Sequence, residues 1–211
     1  MALPHLITDS ERKFIEKVIL KTSPLPERDM CIWSFFIATP CLILELNRVQ
    51  LGDVMTKKGE LVKSFVIRGE LDFVGDERKI FLTSKGLSKI LFDYIINTTF
   101  PKGDNPDYYS GYDPLSPLFL TTEGEGFSIT KTETTYKADS LRRHIMNFML
   151  EGGIENPSSQ SGRRRFATIL CREHMHEAYI NHLLGFKSLE ATKRLIGSDP
   201  VDMGAIAAKA F

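Results

Sequence analysis

The chain has 211 residues, 42% of them hydrophobic, and 27 lysines and arginines against 27 aspartates and glutamates, for a formal net charge of zero. That balance argues against a uniformly basic nucleic-acid binder and leaves any charge recognition to local patches. The best apolar candidate, Cys31 to Leu44, is too short to span a bilayer, so no membrane partner is expected.

The start, MALPHLITDSERK, lacks the basic-then-apolar order of a signal peptide. Cys31, Cys41 and Cys171 are widely spaced with no CxxC, which points to buried free thiols and a reducing, cytoplasmic setting. His174 and His176 stand two apart, where helical metal ligands prefer three or four, so neither metal nor cofactor is expected.

In chain order, Asp9 to Leu20 reads as a helix opened by the cap-type residues DSE, with an apolar stripe through Phe14, Ile15, Val18 and Ile19. Pro24 and Pro26 break the chain, and Pro26 suits the first turn of the nearly all-apolar helix ERDMCIWSFFIAT. After Pro40, CLILELNRVQLGDV reads as one further helix. The period then changes: LVKSFVIRG, ELDFV and RKIFLT predict a small antiparallel sheet of two or three strands. SKGLSKILFDYIINTTF is helical in pattern, and PKGDNPDYYSGYDPLSPLF is a proline- and glycine-rich connector. TTEGEGFSITK supplies a polar turn and a short β-like piece. Helices follow from about Lys131 to Leu150, from about Ser161 to Arg172, over EAYINHLLGF, and over SLEATKRLIG with Ser188 as cap. The fold class is mainly α with a small antiparallel β-sheet, and nothing in the pattern divides 1–211 into two globular units.

Four segments, in order and with compatible gaps, carry a resemblance. They are SSQSGRRRFATIL (158–170), HLLGFKSLEATKRLIGSDP (182–200), IATPCLILELNRVQLGDV (37–54) and GDERKIFLTSKG (75–86). The chain resembles the catalytic domain of the tyrosine recombinases, the phage-integrase family, most strongly over 158–200. The resemblance implies an integrase-like catalytic-domain fold without the family's N-terminal core-binding domain. It also implies DNA recombination chemistry: a tyrosine attacks a phosphodiester while arginines, a lysine and histidines hold the phosphate and move protons. Planar, permanently charged donors suit that transition state.

Position by position, the resemblance puts the family's first arginine at Leu42 and its strand lysine near Phe73. The two histidine positions become Gln160 and Phe186, and the nucleophile falls at Leu195. Of the six catalytic positions only the second arginine survives, as Arg163. No tyrosine follows Tyr179. A degenerate, non-catalytic member is therefore expected, a pseudoenzyme derived from a mobile-element recombinase. Two alternatives are a protein-interaction module on the same fold and a residual recombinase whose activity depends on a partner.

Between Ser158 and Arg194 seven basic residues face three acidic ones. Arg163, Arg164, Arg165, Lys187, Lys193 and Arg194 are the candidate DNA-phosphate contacts. The arginine triplet alone leaves several readings open: a solvated helix start, a phosphate clamp at a helix N-terminus, a protein interface, or internal pairing, with Arg163 facing Glu45. The apolar tail MGAIAAKAF is a candidate for self-association or for docking on an active recombinase.

Overall fold

The computed structural model describes residues 3–67, 78–100, 102–133 and 135–197. The order is α1 (Asp9–Thr22), α2 (Pro26–Ala38), α3 (Ile43–Asn47), α4 (Leu51–Val54), β1 (Ser64–Val66), β2 (Lys79–Phe81) and α5 (Lys85–Asn97), then β3 (Thr130–Lys131), β4 (Tyr136–Lys137), α6 (Asp139–Glu151), α7 (Ser161–Arg172), α8 (Glu177–Leu184) and α9 (Leu189–Ile196). Mainly helical architecture with a small antiparallel sheet is what the periodicity predicts; β1 and β2 form that sheet, and β3 and β4 add a second pair. Among the described residues no helix is long and apolar enough to cross a membrane, and no three metal-ligating side chains cluster.

Helix α1 starts at a reciprocal cap. The Glu11 amide donates to Thr8 Oγ1 at 3.2 Å, and the Thr8 amide donates to Glu11 Oε2 at 2.7 Å. Helix α2 is apolar almost all round because it is the central rod, packed by α1, α5 and α7. Trp33 sits edge-on to Phe148 of α6, and Phe35 to Phe119 of the long connector. A second, smaller core joins α7, α8 and α9 through Ala167, Ile180, Leu184, Leu195 and Ile196.

Three expectations change. The helix read over 41–54 is split into α3 and α4, because the connector takes its backbone donors: Leu51 N–H donates to Ser116 O at 3.0 Å and Gly52 N–H to Pro114 O at 2.8 Å. The helix read from Lys131 begins only at Asp139. The threonine-rich stretch before it forms a hairpin, Thr130 pairing with Lys137 and Lys131 with Tyr136. Cys171 is exposed, whereas Cys31 and Cys41 are buried as expected. Burial pushes the Cys41 thiol up to about 12.

Strands β1 and β2 pair antiparallel with Phe65 opposite Ile80. The segment ELDFV, with Phe73, and the tail MGAIAAKAF lie outside the described residues.

Candidate functional site: the α7 N-terminus and its surroundings

Helix α7 reaches its place through a glycine. A Cβ on Gly162 would stand 2.0 Å from the Phe36 carbonyl oxygen, so only glycine lets the start of α7 lie directly on α2. Beside that contact Arg163 and Arg165 are buried and Arg164 is half-buried.

Each arginine of the triplet clasps a different piece of backbone. Arg163, 4% exposed, donates from Nη2 to Leu184 O at 2.5 Å and from Nη1 to Gln160 Oε1 at 3.3 Å. Its guanidinium lies 4.5 Å from the Phe186 ring centroid. Arg164 donates to Pro4 O and, from Nη2, to Ile196 O at 3.2 Å. Arg165 donates to Ile7 O at 2.7 Å and to Asp9 Oδ1 at 2.5 Å. Leu184 and Ile196 are the last residues of α8 and α9, so Arg163 and Arg164 meet carbonyls at the negative ends of two helix dipoles. The triplet is thus not a solvated row.

Glu45 is held, but not by Arg163. Arg78 grips it bidentately, at 2.8 Å from Nη1 to Oε1 and 2.6 Å from Nη2 to Oε2. Both residues are buried. The Arg78 side chain lies over Gly185, where a Cβ would meet its Cδ at 2.8 Å; Gly185 also has the left-handed φ of 68° that ends α8. Burial first, and then the Arg78 cation, pull the Arg163 guanidinium down to about 10. The Glu45 carboxylate, held by Arg78, offsets part of that effect.

The remaining positions singled out by the resemblance fall close by. Leu42 and Gln160 line one cleft of about 390 Å³, together with Tyr136, Lys137, Arg142 and Ser159. Gln160 sits at the N-cap of α7 without capping it through its side chain, whose amide oxygen Oε1 accepts from Arg163 instead. Phe186 lies beneath Arg163 and packs on the second core, in which Leu195 is buried. The structure thus gathers Leu42, Gln160, Arg163 and Phe186, with Leu195 beneath.

Lys187, Lys193 and Arg194 are exposed, and Lys193 stands 3.6 Å from Glu177. Arg142 is exposed and pairs with Asp139 at 3.3 Å. Lys137 is exposed too. Sequence reasoning missed Tyr136, Lys137 and Arg142 because it placed them inside one long helix. It missed Arg78 because no local signal says which arginine reaches Glu45. Tyr179, the nearest sequence fallback for a nucleophile, projects from α8 at 64% exposure.

No known family profile matches the chain, and no curated protein sequence does. Solved structures do match. The chain aligns with the crystal structure of XerA recombinase at TM-score 0.69 and 17% identity, covering 100% of this chain and 64% of that one. It aligns with XerH site-specific recombinase bound to difH substrate at 0.62 and 17%, covering 97% and 53%. A lambda integrase dimer bound to a COC' core site gives 0.64 and 13%, covering 96% and 62%. The chain therefore spans between about half and two thirds of the length of these structures. Likeness at such identity is likeness of fold: the chain has a tyrosine-recombinase, integrase-like catalytic-domain fold.

Proposed function

We propose that on this recombinase fold the chain associates with DNA phosphates and does not cleave the strand. The observation that carries the reading is the composition of the inherited site. Leu42, Phe186 and Leu195 offer no donor, acid or nucleophile, and Gln160 is no acid or base at neutral pH. The retained Arg163 is spent on Leu184 O, Gln160 and the Phe186 ring. A phosphoryl transfer needs a nucleophile that becomes covalent and then leaves, and the described inherited positions supply none.

Binding is the separable half of the old function. Lys187, Lys193 and Arg194 are the exposed cations among the six candidate contacts, and each neutralised phosphate releases counterions whatever the sequence. Arg164 and Arg165 are committed to backbone carbonyls and to Asp9, and so serve to hold the fold. The XerH and lambda integrase structures are complexes with DNA, which favours a nucleic-acid partner over a protein one. The test is fluorescence anisotropy with a labelled duplex at about 50 mM and about 200 mM salt. Affinity that falls steeply between the two supports the reading; no binding at the lower salt sinks it.

A further inference from the structure

Helix α9 is short, and its last turn is held from outside. Its eight residues bury Thr192, Leu195 and Ile196 and expose Lys193 and Arg194. A helix of that length has little stability of its own, and its final carbonyls need donors from elsewhere. The donor at Ile196 O is Arg164, from Nη2 at 3.2 Å and from Nε at 3.4 Å.

The same guanidinium holds the segment before α1. Arg164 Nη1 donates to Pro4 O, and beside it Arg165 binds Ile7 O and Asp9. His5 Nε2 lies 2.9 Å from Glu11 Oε1, and the Ile7 side chain is buried. Leu3 closes the other side: a Cβ on Gly197 would stand 2.7 Å from Leu3 Cδ1. Residues 3–8 thus form a strap lying directly on Gly197, the residue that ends α9 with a left-handed φ of 69°.

One planar, rigid fork takes carbonyls from both segments, so Pro4 and Ile196 cannot separate without breaking charged hydrogen bonds. We infer that the strap, acting through Arg164, latches α9 in place and so positions Lys193 and Arg194 for DNA phosphates. Arg164 is then a positioning residue, spent on the two carbonyls and touching no phosphate. The strap itself, LPHLIT, contains no lysine or arginine, so its effect on DNA runs through α9. The latch stands on the geometry alone; what α9 touches rests on the association with DNA proposed above.

Amide hydrogen exchange on the full chain and on two variants tests the latch. Arg164→Lys keeps the charge and loses the fork. Deleting residues 1–5 removes Leu3 and Pro4 but leaves Ile7 and the Thr8 cap of α1 in place. In each variant the α9 amides exchange about tenfold faster or more than in the parent, as expected for a lost charged hydrogen bond. They also exchange at least about tenfold faster than those of α2, because α9 now opens ahead of the whole fold. Both changes act on one guanidinium, so the combined variant loosens α9 no further than about twofold beyond the larger single effect. Unchanged α9 exchange in either variant, α9 opening only together with α2, or effects that multiply in the combined variant overturns the latch. Anisotropy with a labelled duplex at about 50 mM salt reads the positioning. Both variants bind at least about threefold more weakly than the parent, although neither loses a cation of α9 and Arg164→Lys keeps the net charge. Parent-like affinity in a variant whose α9 has loosened overturns the positioning role. A parent chain that binds no duplex sinks the association with DNA and the positioning role with it, while exchange still decides the latch.

Discussion

Arg78 and Glu45 form a buried bidentate pair linking the start of β2 to α3, with nitrogen–oxygen distances of 2.8 and 2.6 Å. The second oxygen of Glu45 also accepts from the Leu42 amide at 2.7 Å, so one carboxylate fixes both the strand and the entry to α3. Breaking a buried pair from one side strands the other charge at a cost of about 3–5 kcal/mol. Arg78→Ala and Glu45→Gln are each expected to lose that much in urea unfolding. Replacing both by apolar residues, Arg78→Met with Glu45→Leu, is expected to recover most of it.

On the proposed reading, the basic residues divide into those that hold the fold and those that contact DNA. Arg163→Ala and Arg165→Ala each lose bonds to backbone carbonyls, and charged hydrogen bonds of that kind contribute about 1.5–3 kcal/mol. Both variants are expected to unfold at lower urea. Arg163→Lys does not restore Arg163, because an ammonium cannot reach Leu184 O and Gln160 while stacking on Phe186. Lys187→Ala and Arg194→Ala are expected to leave stability within about 0.5 kcal/mol. Each instead lowers the salt slope of DNA binding by about one.

Gly162→Ala puts a methyl group against the main chain of α2. Alanine in an open helix gains about 1 kcal/mol over glycine. Here the gain reverses, because the obstacle is the Phe36 carbonyl and α7 must move away from α2. A loss of about 1–3 kcal/mol or more is expected, with cooperative unfolding shifted to lower temperature in calorimetry.

Acid sensitivity centres on Asp29, 2% exposed beneath the connector. Burial pushes its carboxyl up, but bonds from His144 Nε2 at 2.8 Å, Arg28 Nε at 2.7 Å and Ser23 Oγ at 2.6 Å outweigh it and hold it below the usual range. With a folded value below the unfolded one of about 3.9, the unfolded chain takes up the proton first as pH falls. The stabilisation is complete above about pH 4 and drains away below it, down to the folded value. Unfolding free energy measured from pH 6 to 2 is expected to fall less steeply below pH 4 in Asp29→Asn.

Much of the architecture was legible because the burial demands are local. The all-apolar stretch around Trp33 announces a central helix, the cap-type residues DSE announce the start of α1, and Ser188 caps α9 by accepting from the Ala191 amide. The connector's hold on Leu51 and Gly52 was not legible, since bonds to Ser116 and Pro114 span more than sixty residues of sequence. The positions Leu42, Gln160 and Phe186 were readable only through the resemblance of their segments. What Arg163 holds was not: Leu184 and Glu45 are both acceptors near it, and only the placement of Arg78 over Gly185 decides between them.

Covalent trapping tests most directly whether the fold has kept binding and lost strand transfer. Nicked suicide duplexes prepared from the DNA of the protein's own source are incubated with the chain and resolved on a denaturing gel. The account predicts free protein and free DNA only, even where a native gel of the same mixture shows a shifted band. A protein–DNA adduct that survives denaturation, and is lost in Tyr136→Phe or Tyr179→Phe, would contradict it.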